Sequence, residues 1–108
     1  MMDKPYILFE NLTSLTPTVP ANSILSRTLL QHPRLKVTLF AFGAGQELSE
    51  HTASMPAVIH ILEGECDLRL GKDVYTLRDG AWVFMEAHTP HALLAHTDLR
   101  MLLLMLPE

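Results

Sequence analysis

Five of the six histidines lie between positions 51 and 96, at His51, His60, His88, His91 and His96. An imidazole can ligate a first-row metal through a ring nitrogen, or it can hold an acidic ligand by a hydrogen bond. A catalytic metal centre commonly takes three protein donors and keeps one position open. Which of these rings can share one interior is a question of strand parity, because successive side chains along a strand face opposite ways. In "SEHTASMPAVIHILEGE", from Ser49 to Glu65, an inward-facing Ala57 would place Ile59 and Ile61 inward as well. His60 then joins Val58 and Leu62 on the other face, unless a one-residue bulge near Pro56 reverses the order. His96 has odd parity relative to His91 and reads as a surface or interface residue. His51 and His91 could converge inside a barrel, where strands far apart in sequence meet. They offer two donors, so either waters or substrate complete the sphere of a weakly held metal, or the rings bond each other, water or a carboxylate ligand with no metal present.

Other chemistry is sparse. Cys66 shares its face with Leu68 and Leu70 in "CDLRL" and reads as a small buried apolar residue. Glu63, Glu65 and Asp67 cluster around Gly64 as solvated carboxylates, and Glu50 points away from His51 on an extended strand. There is no Ser-His-Asp spacing, phosphate-cradling glycine loop or paired-carboxylate motif.

The elements that position the two rings are short. Apolar or alternating runs are broken by Gly, Asp-Gly or Pro about every ten residues, the spacing of an all-β sandwich or barrel. Strands are expected at 7–10, 24–30, 35–42, 57–63, 66–70, 74–77, 81–85, 91–95 and 99–106. Residues 1–34 read as an N-terminal strand and irregular arm of the same domain, and residues 35–106 as the barrel. Two runs, "WVFM" and "LRMLLLML", are apolar on both faces, so something must cover the second face. The expected cover is a second copy, in a homodimer; the alternative is the N-terminal arm alone.

With 108 residues, 48% of them apolar and 19% charged, the chain is expected to fold as one domain. A net charge of −4 provides no basic field for a phosphate backbone, which argues against nucleic acid. The longest apolar run, Met101 to Leu106, is far short of the ~20 residues that span a bilayer. The lone cysteine and the absence of a basic-then-apolar leader lead to the expectation of a cytoplasmic protein.

The glycine and histidine spacing adds a resemblance. One block reads Gly45, five residues, His51, one residue, Ala53, three residues, Ala57, six residues, Gly64; the other reads Gly80, five residues, Glu86, one residue, His88, two residues, His91, three residues, Ala95. These are the spacings of the two cupin motifs, G-x5-H-x-H-x3-E-x6-G and G-x5-P-x-G-x2-H-x3-N. The chain resembles a small RmlC-like cupin of the type-2 domain, with a degenerate first motif. The resemblance implies a double-stranded β-helix, or jelly roll. It also implies a metal-dependent activity of the dioxygenase, isomerase or decarboxylase kind, or else a non-catalytic binding or sensing module. His88 stands in place of the motif's glycine, and histidine is one of the few other residues that tolerate positive φ. Alanines replace a His, a Glu and an Asn at 53, 57 and 95. The expected pocket is therefore apolar, lined by Ala53, Ala57, Ile59, Ile61, Leu93 and Ala95, with His51 and His91 as its polar groups. It suits a small organic ligand with one polar or anionic end, with or without a divalent Mn, Fe, Ni or Zn ion on the two histidines.

Overall fold

The computed structural model describes residues 4–108. Nine strands follow in order: β1 (Ile24–His32), β2 (Leu35–Phe42), β3 (Glu47–His51), β4 (Ala57–Glu63), β5 (Cys66–Leu70), β6 (Asp73–Leu77), β7 (Trp82–Met85), β8 (His91–Ala95) and β9 (Leu99–Met105). One antiparallel sheet has the order β1-β2-β9-β4-β7 and the other β3-β8-β5-β6. From β2 onward the chain changes sheet at every connection except the β5–β6 hairpin, which is the winding of the expected jelly roll. The only helical turn among the described residues is a 3-10 turn at Thr13–Leu15. Among the described residues no helix is long and apolar enough to cross a membrane.

Alternation decides what enters the barrel. Phe40 and Phe42 of β2, Ala57, Ile59 and Ile61 of β4, Cys66 and Leu68 of β5, Leu93 and Ala95 of β8, and Leu99 and Met101 of β9 form one packed interior. Phe42, Ile61, Leu68 and Leu99 have no exposed surface. Sequestering each of these side chains from water stabilises the fold by roughly 1.5–3 kcal/mol.

Cys66 is also fully buried. Burial, with help from the charges of Asp67 and Glu65, pushes its thiol up to about 11. The thiolate is the reactive form, so at neutral pH iodoacetamide is expected to leave native protein unmodified over hours while alkylating it promptly in urea. Mass spectrometry of the two samples checks this, and fast native labelling would contradict the burial.

Two sequence expectations change. Residues 7–10 form no strand, and Ile7 and Leu8 are exposed. A strand needs a neighbour to take its backbone hydrogen bonds, and within the single chain this run has none. Conversely, Glu47–His51 lies in no expected strand but forms β3. Its one apolar residue, Leu48, and an irregular register hide it from a search for alternation.

The outer face of the five-stranded sheet is only half covered. The Arg100 guanidinium donates to the Thr16 carbonyl from Nε at 2.9 Å and Nη2 at 2.6 Å, and Arg27 Nη1 donates to the Leu15 carbonyl at 2.9 Å. These bonds hold the N-terminal arm over the outward residues Leu39 and Ala41, which pair with Arg27 and Arg100 and are fully buried. Toward β7 the face stays open: Trp82 is 62% and Phe84 45% exposed.

One turn is fixed by glycine. Gly64 has φ +103°, and a Cβ there would strike the carbonyl oxygen of Asp98. Its N–H donates to Asp79 Oδ1 at 2.7 Å, and the next N–H, of Glu65, donates to Thr97 Oγ1 at 3.0 Å. Three connections of the barrel thus meet at one residue without a side chain.

Candidate functional site

The two histidines are brought together by the β3–β8 ladder. Leu48 pairs with Leu93, and His51 pairs with His91, so three steps along β3 match two along β8. Without that extra residue, Leu48 and His51 would face opposite ways. The bulge returns His51 to the side of the sheet that carries Leu93 and His91. The imidazole centroids are 4.1 Å apart with the ring planes inclined at 58°. His91 is buried, whereas His51 is exposed at the rim.

Both rings are held the same way. His51 Nδ1 lies 2.8 Å from the Ser49 carbonyl, and His91 Nδ1 lies 2.8 Å from the Thr89 carbonyl, each two residues back. A carbonyl only accepts, so each Nδ1 carries the proton. Each Nε2 is then left with its lone pair and no protein partner among the described residues, and it is the nitrogen that can ligate or accept.

Beside them is a cavity of about 70 Å³, walled by Phe40, Leu48, Ile59, Leu68, Leu93, Met101 and Leu103 along with the two histidines. A single water needs roughly 10–15 Å³, so a small ligand group fits.

Of the residues expected to line the pocket, Ile59 and Leu93 do so. Ala53, Ala57, Ile61 and Ala95 are placed elsewhere, which corrects the picture of alanines as ligand space. Ala57 lies in register between Met85 and Met105, whose flexible side chains flank it. Ala95 pairs with Cys66 within the packed core, as does fully buried Ile61. Ala53 lies outside the strands and accepts a bond from the His88 N–H at 2.7 Å. Phe40, Leu48, Leu68, Met101 and Leu103 were not anticipated. Phe40 alternates with Phe42 in the sequence and could have been found, whereas Leu48 depends on the bulge.

The other histidines stay away from the cavity. His60 pairs with Trp82 and Leu102 on the outer face, in line with its parity. His88 has φ +68°, the turn conformation its place in the motif implies. His96 Nε2 lies 2.9 Å from Asp67 Oδ1 on the surface. That hydrogen bond, followed by the one from Thr76, holds the Asp67 carboxyl below its usual range. Among the described residues no group of three His, Cys, Asp or Glu side chains could hold a metal ion. The donor set fits a seat of two imidazoles and does not fit a centre built on three protein donors.

The model of the cupin domain matches residues 38–107. The chain is a cupin. A cupin superfamily protein from Desulfitobacterium hafniense is 26% identical with a TM-score of 0.85, covering 100% of this chain and 94% of that one. A conserved protein of unknown function from Streptococcus pyogenes is 29% identical with a TM-score of 0.80, covering 99% and 91%. An RmlC-like cupin from Desulfovibrio desulfuricans is 27% identical with a TM-score of 0.76, covering 98% of each chain. No curated protein matches this cupin. Cupins commonly bind metals or small ligands, and these neighbours single out neither for this one.

Proposed function

We propose that this cupin binds a small, mainly apolar molecule bearing an oxygen-rich anionic group, with a divalent first-row metal (Mn, Fe, Ni or Zn) held weakly by His51 and His91 at the polar end of the pocket. The observation that carries the reading is the matched tethering of the two rings. Both Nδ1 protons are bound to backbone carbonyls, which leaves two Nε2 lone pairs beside one apolar cavity.

Two neutral imidazoles are part of a first-row metal site, and the donor the protein lacks can come from the ligand's own oxygens. The pocket then selects by two criteria at once: an anionic end to complete the polar pole, and a hydrocarbon body to fill the walls formed by Ile59, Leu68 and Met101. When bound, the metal would supply Lewis acidity toward those oxygens. The protein's share is orientation: the carbonyls of Ser49 and Thr89 fix both rings, and the apolar walls keep water from competing. The free, buried Cys66 supports the reading of a reducing, cytoplasmic setting.

The test is equilibrium dialysis of untagged protein against Mn, Fe(II), Ni or Zn salts, followed by elemental analysis. About one metal per chain is the expected uptake. No bound metal, and none recovered on incubation, would overturn it. The lack of a third donor favours a second reading, a metal-free binding or sensing module in which the two Nε2 atoms contact the ligand's acid group directly. The two separate cleanly, since ligand binding in that case persists unchanged in EDTA.

A further inference from the structure

We infer, on the reading of His51 and His91 as the polar pole, that the ligand's hydrocarbon body runs past Leu68 into a second apolar cleft between the edges of β6 and β7, and that the ligand is a carboxylic acid with a medium-length chain. Size is the first reason. A cavity that takes a benzene-sized hydrocarbon is about 150 Å³, and the space beside the two histidines is about 70 Å³. It holds an acid group and the first carbons of a chain, and the rest of the body must lie elsewhere.

The second cleft is about 280 Å³ and is lined by Leu68, Leu70, Tyr75, Leu77, Trp82 and Val83, none of which carries a charge. Leu68 is the one residue that borders both spaces. Strand register explains the sharing. Leu48, Leu93, Leu68 and Tyr75 stand in one row across the four-stranded sheet, and Leu103, Ile59 and Val83 stand in one row across the other. Each row begins on a wall of the histidine cavity and ends on a wall of the cleft. The two spaces are thus the ends of one slot between the sheets, closed in the middle by the Leu68 side chain. Leucine occupies discrete rotamers, and a change of rotamer at this residue is the step that joins them.

The far end of the slot opens to solvent. β6 and β7 are the last strands of their sheets and no ladder joins them, and Tyr75 and Trp82 are 50% and 62% exposed there. His91 pairs with Leu70, and Tyr75 with Leu68. From His91 to Tyr75 is therefore two strand spacings across and two residues along, a span of about 12 Å. That span suits an extended medium-length chain whose acid end meets the imidazoles and whose tail reaches the aromatic mouth.

Trp82 is the protein's one tryptophan, so its emission reports on the cleft while butyrate and octanoate are titrated into nickel-loaded and EDTA-treated protein. Each buried methylene strengthens binding by about fourfold. Octanoate, four methylenes longer, is expected to bind at least about 50-fold more tightly than butyrate in both preparations, and it alone should shift the Trp82 emission to the blue. A carboxylate placed in the cleft by Tyr75→Asp should reduce that ratio to about fivefold or less, and so should Val83→Phe, which fills the cleft without a charge. Val74→Asp is the control, because Val74 pairs with Arg69 on the other face of β6 and its replacement should keep the ratio. Equal affinities for the two acids, or an emission that ignores octanoate, would overturn the inference, and metal uptake in the same samples would then leave the histidine pole standing. A ratio that survives in both Tyr75→Asp and Val83→Phe would overturn it as well. Octanoate bound by His91→Ala with the full ratio and emission shift would instead support the cleft and overturn the histidine pole.

Discussion

Gly64→Ala is expected to destabilise this cupin by about 2–6 kcal/mol, more than the same change at Gly45 or Gly80. All three glycines have positive φ, and forcing a side chain into such a conformation costs roughly 1–3 kcal/mol. At Gly45 and Gly80 that is the whole cost, because an added Cβ meets open space. At Gly64 the Cβ collides with the Asp98 carbonyl, and its neighbours Thr97 Oγ1 and Leu99 Cα also lie within 3.1 Å. Relief requires moving the β8–β9 connection, which costs a further 1–3 kcal/mol or so as an overpacked site. It also pulls Thr97 away from the Glu65 N–H that it accepts. Urea titrations of the three alanine variants measure the difference, and equal midpoints for all three would disprove the clash.

Replacing either pocket histidine is expected to weaken metal binding by about 100-fold or more. Altering only the groups that orient a ligand commonly costs 10–100-fold, and here one of two ligands disappears. His91→Ala leaves a single rim imidazole, and His51→Ala leaves a single buried one; neither can chelate. His96→Ala is the control, since that ring already faces Asp67 on the opposite side of the sheet. Nickel or zinc titrations by calorimetry should show wild-type affinity for His96→Ala and none measurable for the other two. Unchanged affinity in His91→Ala would place the metal elsewhere.

The parts of the fold readable in the sequence are those governed by local pattern. Leu35–Phe42, Ala57–Glu63, Cys66–Leu70 and His91–Ala95 are strands with the bounds their alternation implies, and the glycine spacing marks the barrel's turns. The position of His60 outside the pocket follows from the same period of two. What alternation does not encode is pairing. That Ala57 falls between two methionines, and Ala95 opposite Cys66, depends on register between strands distant in sequence. The bulge between Leu48 and His51 belongs to the same class, because it exists only relative to β8. Of the expected walls, Ile59 and Leu93 therefore border the cavity beside the two histidines, while Ala57, Ile61 and Ala95 are used by the core for packing. Residues 7–10 show the converse: their pattern is that of a strand, but a strand also needs a partner.

The tethering of both imidazoles has a thermodynamic consequence. Metal sites usually release protons when they fill, because their ligands must first be deprotonated. In this pocket the proton of each neutral ring is already committed to a carbonyl through Nδ1, and Nε2 has none to give up. At a pH where both rings are neutral, loading is expected to be proton-silent, with the same heat of binding in buffers of different ionisation enthalpy.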